Sequence, residues 1–208
     1  MKLLLCALLV LLPATSVAAE PKSLFDGKTF EGWEGDTAKT WAIEDGAIVG
    51  GSLDTTVPRN EFLCTKATYG DFELKAKFML VGDKAKANAG IQFRTKRIPN
   101  HHEVSGYQAD VGQAYWGALY DESRRNKILA QPDPKTLPAI VKYDDWNDYT
   151  IRCEGPRVRL WLNGTLTVDF TETDDTIPRT GIIGLQIHGG AKAKAYYKDI
   201  RIEELVTK

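Results

Sequence analysis

Apolar and polar residues alternate with a period of two along most of this chain. Between Asp71 and Leu80, the residues Phe72, Leu74, Ala76, Phe78 and Leu80 fall on one side of an extended backbone. Glu73, Lys75 and Lys77 fall on the other. That is the pattern of an antiparallel strand with one face in a core and one in solvent. Trp41 to Ile43 and Ala47 to Val49 flank Asp45-Gly46, and Val158 to Leu162 and Leu166 to Phe170 flank Asn163-Gly164. Both dipeptides accept the left-handed conformations of a two-residue turn, so each predicts a hairpin. Tyr149, Ile151 and Cys153 mark a further strand, and 182–187 and 196–202 two more. Long helical periodicity is absent, and 121–129 is the best candidate for a short helix. Many short strands with turn signals between them predict an all-β, two-sheet antiparallel sandwich. Trp33, Trp41, Phe72, Leu74, Phe78, Ile151, Leu160 and Ile200 are expected in its core. The stretch 96–139 breaks the rhythm. A long irregular insert in a compact domain is functional or disordered, and its Tyr, Trp and Gly residues favour function.

The first 19 residues do not follow this pattern. Lys2 precedes an uncharged apolar run from Leu3 to Leu12, Pro13 interrupts it, and Val17-Ala18-Ala19 offers small residues for cleavage. This reads as a signal peptide, too short to span a bilayer, for which about 20 residues are needed. Cys6 has no small-residue motif before it, which argues against a lipoprotein. The expected mature domain is one unit, 20–208, exported to the periplasm or secreted. Lys and Arg number 27 and Asp and Glu 28, a net charge of −1. Loss of Lys2 leaves 26 against 28, or −2. That balance argues against nucleic acid or an anionic membrane as partner, and no segment of the mature chain reads as a membrane span. Cys64 and Cys153 remain. An oxidising compartment permits a disulfide, but its geometry is demanding; two separate buried thiols are the plainer expectation. Oligomeric state leaves no signal.

Three strands carry an unusual polar face. Gln92 and Arg94, Gln108 and Asp110, and Gln186 and His188 are each spaced i, i+2, so each pair shares one side of its strand. Amide, guanidinium, carboxylate and imidazole groups suit hydroxyls and carbonyls better than the Lys and Glu of an ordinary solvent face. Arg94, Asp110 and His188 are expected to converge on one concave face, beside Gln92, Gln108 and Gln186. His188 is the leading general base, and Gly189-Gly190 after it would let the backbone approach a ligand. Glu103, in the loop before the second of these strands, could face the same site. Tyr107, Trp116 and Tyr120 could stack on sugar rings, and Arg124 could bond their hydroxyls; the alternative is that these aromatics fill a small core of their own.

The ordered motifs Leu24-Phe25-Asp26-Gly27, Gly32-Trp33, Trp41-Ala42-Ile43-Glu44-Asp45-Gly46, Gly70-Asp71-Phe72, Gly90-Ile91-Gln92-Phe93-Arg94, Gly106-Tyr107-Gln108, Trp146-Asn147-Asp148-Tyr149, Trp161-Leu162-Asn163-Gly164 and Gly184-Leu185-Gln186-Ile187-His188-Gly189 carry a resemblance over nearly the whole mature chain. The chain resembles the 3-keto-disaccharide hydrolase domain family. The resemblance implies a concanavalin-like (lectin-like) jelly roll and cleavage of 3-keto-glycosides. Many relatives have Glu where this chain has Gln108, which moves weight onto Asp110. Such chemistry needs a base for the C2 hydrogen, an acid for the leaving group and a stabiliser for the enolate. His188 or Asp110 could be the base, Glu103 or Glu122 the acid and Arg94 the stabiliser. A divalent metal cation could replace Arg94, although no metal motif is present. A non-catalytic carbohydrate-binding module is the alternative on the same fold.

Overall fold

The computed structural model describes residues 20–205. The expected signal peptide, 1–19, lies outside the described residues. In chain order the strands are β1 (Lys22–Ser23), β2 (Trp33–Glu34), β3 (Trp41–Glu44), β4 (Ala47–Ser52), β5 (Glu61–Thr65), β6 (Phe72–Gly82), β7 (Asn88–Arg97), β8 (Val104–Gly112), β9 (Leu119–Glu122), β10 (Lys127–Ala130), β11 (Asn147–Glu154), β12 (Arg157–Leu162), β13 (Thr165–Thr171), β14 (Ile182–Ile187) and β15 (Ala193–Glu204). One helical turn, α1 (Leu137–Ile140), opens with Pro138 near its start, where a missing N–H costs nothing.

The strands form two antiparallel sheets. The first runs β13-β12-β11-β6-β15-β4-β3, with β1 on β15; the second runs β10-β9-β8-β7-β14-β5-β2. This is the two-sheet antiparallel sandwich that the alternation predicts, in the jelly-roll form that the resemblance implies. Both expected hairpins are present as β3–β4 and β12–β13, and Asp45 and Asn163 take positive φ at their turns. The core lies between the sheets. Phe72, Leu74 and Phe78 of β6 meet Ile91 and Phe93 of β7, Ala109 of β8 and Leu185 of β14 in one apolar cluster. Trp33, Trp41, Ile151, Leu160 and Ile200 are buried as expected.

Two expectations change. The stretch 121–129 is not helical. It is the β9–β10 hairpin, whose turn is closed by a bond from the Asn126 N–H to the Asp121 carbonyl and another from the Ser123 N–H to the Asn126 side chain. The insert 96–139 is more regular than its sequence suggests, since it supplies β8, β9 and β10 to the second sheet. The cysteines follow the plainer expectation: Cys64 and Cys153 are unpaired and buried in opposite sheets, and burial pushes each thiol up to about 12.

Candidate active site

In the second sheet the residues pointing into the core are Ala89, Ile91 and Phe93 on β7, Tyr107, Ala109 and Val111 on β8, and Ile183, Leu185 and Ile187 on β14. Strand alternation therefore turns Asn88, Gly90 and Gln92, Gln108 and Asp110, and Gln186 to the opposite face. Register brings them together: Gln92 is opposite Gln108, Gly90 opposite Asp110 on one side and Gln186 on the other, and Gln108 opposite Tyr120. A Cβ at Gly90 would stand 2.7 Å from Gln108 Cγ. Glycine there leaves the space into which the Gln108 side chain lies.

These groups form a connected network. The Gln92 Nε2 donates to Gln108 Oε1, and Gln108 Nε2 donates to Asp110 Oδ2 at 2.9 Å. Asn88 Nδ2 donates to Asp110 Oδ1 at 2.9 Å, and the Val111 N–H to the same oxygen at 2.8 Å. Three donors favour the carboxylate, yet Asp110 is only 3% exposed. Desolvation outweighs them and pushes its carboxyl up to about 8, with the charge of Glu122 adding to the rise. Glu122 accepts from Gln186 Nε2 at 3.2 Å; burial first and the nearby Glu103 second push it up to about 7.

A cavity of about 270 Å³ opens over this network, lined by Asn88, Gln108, Asp110, Tyr120, Glu122 and His188, with Gln113 and Tyr115 from the loop after β8. His188 follows β14, and its N–H donates to the Asn88 carbonyl at 3.0 Å. Its Nδ1 lies 2.7 Å from the Gly189 carbonyl oxygen. A carbonyl can only accept, so this contact places the ring proton on Nδ1 and leaves Nε2 with a free lone pair.

The cavity thus gathers His188, Asp110, Glu122, Gln108 and Tyr120 among the candidates, with Gln92 and Gln186 buried in the network around it. It does not gather Arg94. That residue sits at φ +45°, where the β7–β8 register shifts between Phe93 and Lys96. The bulge breaks the alternation that would have put Arg94 beside Gln92. Its guanidinium instead bonds the Gly70 carbonyl at 3.0 Å, the Gly155 carbonyl at 2.7 Å and Asp71 at 2.7 Å. Arg94 ties the second sheet to the loops that begin β6 and join β11 to β12. Tyr107 faces the core, stacked on Phe93 with ring centroids 5.6 Å apart, and its hydroxyl donates to Glu172. Trp116 packs on Phe78 and Tyr143 in the core cluster. Arg124 bonds Asp121, lies 4.5 Å over the Tyr107 ring and lines a different cavity. Glu103 stands behind Glu122, accepting from Asn60 and Ser123. Gly189 serves a protein contact, since a Cβ there would lie 2.5 Å from the Arg59 backbone. Among the described residues no three His, Cys, Asp or Glu side chains are grouped to hold a metal ion.

Asn88, Gln113 and Tyr115 were missed. Asn88 continues the Gly90, Gln92 alternation backward and was legible; Gln113 and Tyr115 lie in a loop with no periodic signal.

The profile of the 3-keto-alpha-glucoside-1,2-lyase-like domain family matches residues 20–203. No curated protein matches the chain. Among solved structures, a "putative glycosyl hydrolase" from Parabacteroides distasonis ATCC 8503 superimposes with a TM-score of 0.66 at 20% identity, covering 89% of this chain and 94% of that one. A Bacillus subtilis protein of unknown function with a galectin-like fold gives 0.65 at 13% identity, over 93% and 98%. The carbohydrate-binding module CBM66 of Bacillus subtilis gives 0.62 at 18% identity, over 83% and 96%. At these identities the likeness is one of fold.

Proposed function

Because the chain belongs to the 3-keto-alpha-glucoside-1,2-lyase-like domain family, we propose that it cleaves 3-keto-glycosides in the cavity between His188, Asp110 and Glu122. A ketone at carbon 3 acidifies the hydrogen on carbon 2. His188 Nε2 removes that hydrogen, and the electron pair becomes an enolate on the carbon 3 oxygen. The enolate expels the group on carbon 1, whose oxygen takes a proton from Glu122. Water then adds to carbon 1 of the enone and gives a proton back to Glu122, and return of the proton from His188 to carbon 2 restores the ketone. The net reaction is hydrolysis.

The observation that carries this reading is a single cavity lined by Asp110, Glu122 and His188, the two carboxyls raised by burial to about 8 and about 7 and the His188 Nδ1 turned to the Gly189 carbonyl. Asp110 takes the role expected of Arg94. A neutral carboxylic acid kept so by burial donates a hydrogen bond to a developing enolate oxygen. Structural needs alone seldom place two such groups in one cavity.

The test is to incubate purified protein with a 3-keto-glucoside and with the ordinary glucoside, and to follow release of the aglycone. Release from the keto sugar alone is expected. Binding of both sugars without release would make the protein a carbohydrate-binding module. Activity abolished by chelator and restored by a divalent cation would assign the enolate to a metal rather than to Asp110. We also propose that the reaction takes place outside the cytoplasm, after removal of 1–19; an exported protein whose intact mass retains Met1 would refute this.

A further inference from the structure

A second and larger cavity, about 590 Å³, lies at the other end of the same strands. β7 runs from Asn88, at the first cavity, to Lys96 and Arg97 at the second. β14 runs from Ile182, at the second, toward His188 at the first. The β9–β10 turn joins the two, for Glu122 lines the first and Arg124 the second.

Its lining differs in character. Lys66, Lys96, Arg97 and Arg124 face it, against a single acidic residue, Glu34. Glu34 is bonded to Arg97 and Asp121 to Arg124. Among the described residues no carboxylate pairs with Lys66 or Lys96, both of which are exposed. In a chain of net charge −1 this is a local excess of positive charge. Thr68, Ser105 and Thr180, all at least partly exposed, also line it. Pro178 and Ile182 contribute apolar surface to the same cavity. Cations, hydroxyls and a small apolar patch together suit a sugar ring that bears an oxyanion.

We propose that this cavity is a second saccharide subsite that takes an acidic sugar unit, its carboxylate held by Lys66 and Lys96 and a ring hydroxyl by Ser105. The ring part of this inference rests on the carbohydrate reading above; the oxyanion part does not, and binding tests it without turnover.

Isothermal titration with glucuronate, glucose and inorganic sulfate provides the test. Wild-type protein should bind glucuronate at least tenfold more tightly than glucose, and added salt should weaken the binding as screening grows. Lys66→Glu combined with Lys96→Glu should cost at least tenfold in glucuronate affinity, with the thermal midpoint unchanged because both side chains are exposed. Ser105→Ala should weaken glucuronate several-fold in a folded protein. Equal affinity for glucose and glucuronate, or a double variant that still binds glucuronate normally, would overturn the subsite. Sulfate binding as tightly as glucuronate would overturn its saccharide part. His188→Ala should leave glucuronate binding intact. A protein that binds glucuronate but turns over no 3-keto-glucoside therefore keeps this inference while losing the catalytic one.

Discussion

His188 spends its Nδ1 proton on the Gly189 carbonyl, and that one contact makes Nε2 the available base. Replacing His188 with alanine should lower turnover of a 3-keto-glucoside by about 10²-fold or more, the usual scale for an acid–base group. The half-buried side chain packs little, so the unfolding midpoint should hardly move. A folded variant of full activity would make His188 a bystander. Asp110 gives a second prediction at the same scale. Its carboxyl stays protonated below about 8, and Glu122 below about 7. Both serve as donors, so kcat should decline as pH rises through about 7 to 8. Asp110→Asn should lower kcat by about 10²-fold, the cost of losing an enolate donor, and remove the upper part of that decline. A pH–rate profile identical in the variant would take Asp110 out of the chemistry.

At the scale of elements, the bulge in β7 decides which side chains reach the cavity. Upstream of it Asn88 and Gln92 follow the alternation; at Arg94 the backbone turns to positive φ and the side chain crosses toward the other sheet. Arg94→Met should therefore act on stability. Asp71 would lose its buried guanidinium, and breaking such a pair costs about 3–5 kcal/mol, measurable by urea unfolding. The fraction that remains folded should keep its turnover. A stable variant with kcat reduced a hundredfold would return Arg94 to the role of enolate stabiliser. The β9–β10 hairpin is a second case. Its short strands and polar turn resemble a helical segment by composition, and only pairing with β8 makes it sheet.

The whole molecule couples the site to its own stability. An unfolded carboxyl releases its proton near pH 4, whereas Asp110 holds its proton to about 8 and Glu122 to about 7. Between these limits the unfolded chain binds fewer protons than the folded one, so stability falls as pH rises from about 4 and levels off above about 8. Glu154 and Glu172 act with the opposite sign. Hydrogen bonds from Arg152 and Arg125 respectively lower them to about 2, with burial opposing the shift, so their stabilisation is complete above about pH 4 and disappears as pH falls through about 2. Thermal midpoints measured across pH should peak on the acidic side of neutrality, and combining Asp110→Asn with Glu122→Gln should flatten the decline toward pH 8. An unchanged slope would mean these carboxyls are ionised in the folded protein. The core sets the remaining scale. Phe72 and Phe78 are buried at the centre of β6, and truncating either to alanine should cost about 3–5 kcal/mol in chemical unfolding.

The strands that show alternation, both hairpins with their turn dipeptides and the buried set were determined by the sequence itself, because alternation and turn chemistry are local properties of the backbone. The polar face holding Gln92, Gln108, Asp110 and Gln186 was legible for the same reason. Tertiary structure alone decided the fate of Arg94, since nothing in the residues around it announces a bulge. It also turned Tyr107 and Trp116 from sugar platform to core, because composition does not tell which side of a sheet an aromatic ring will face. The protonation of Asp110 and Glu122 belongs to the tertiary level as well. It arises from desolvation, which depends on how much of the folded chain surrounds a carboxyl and on no neighbour in sequence.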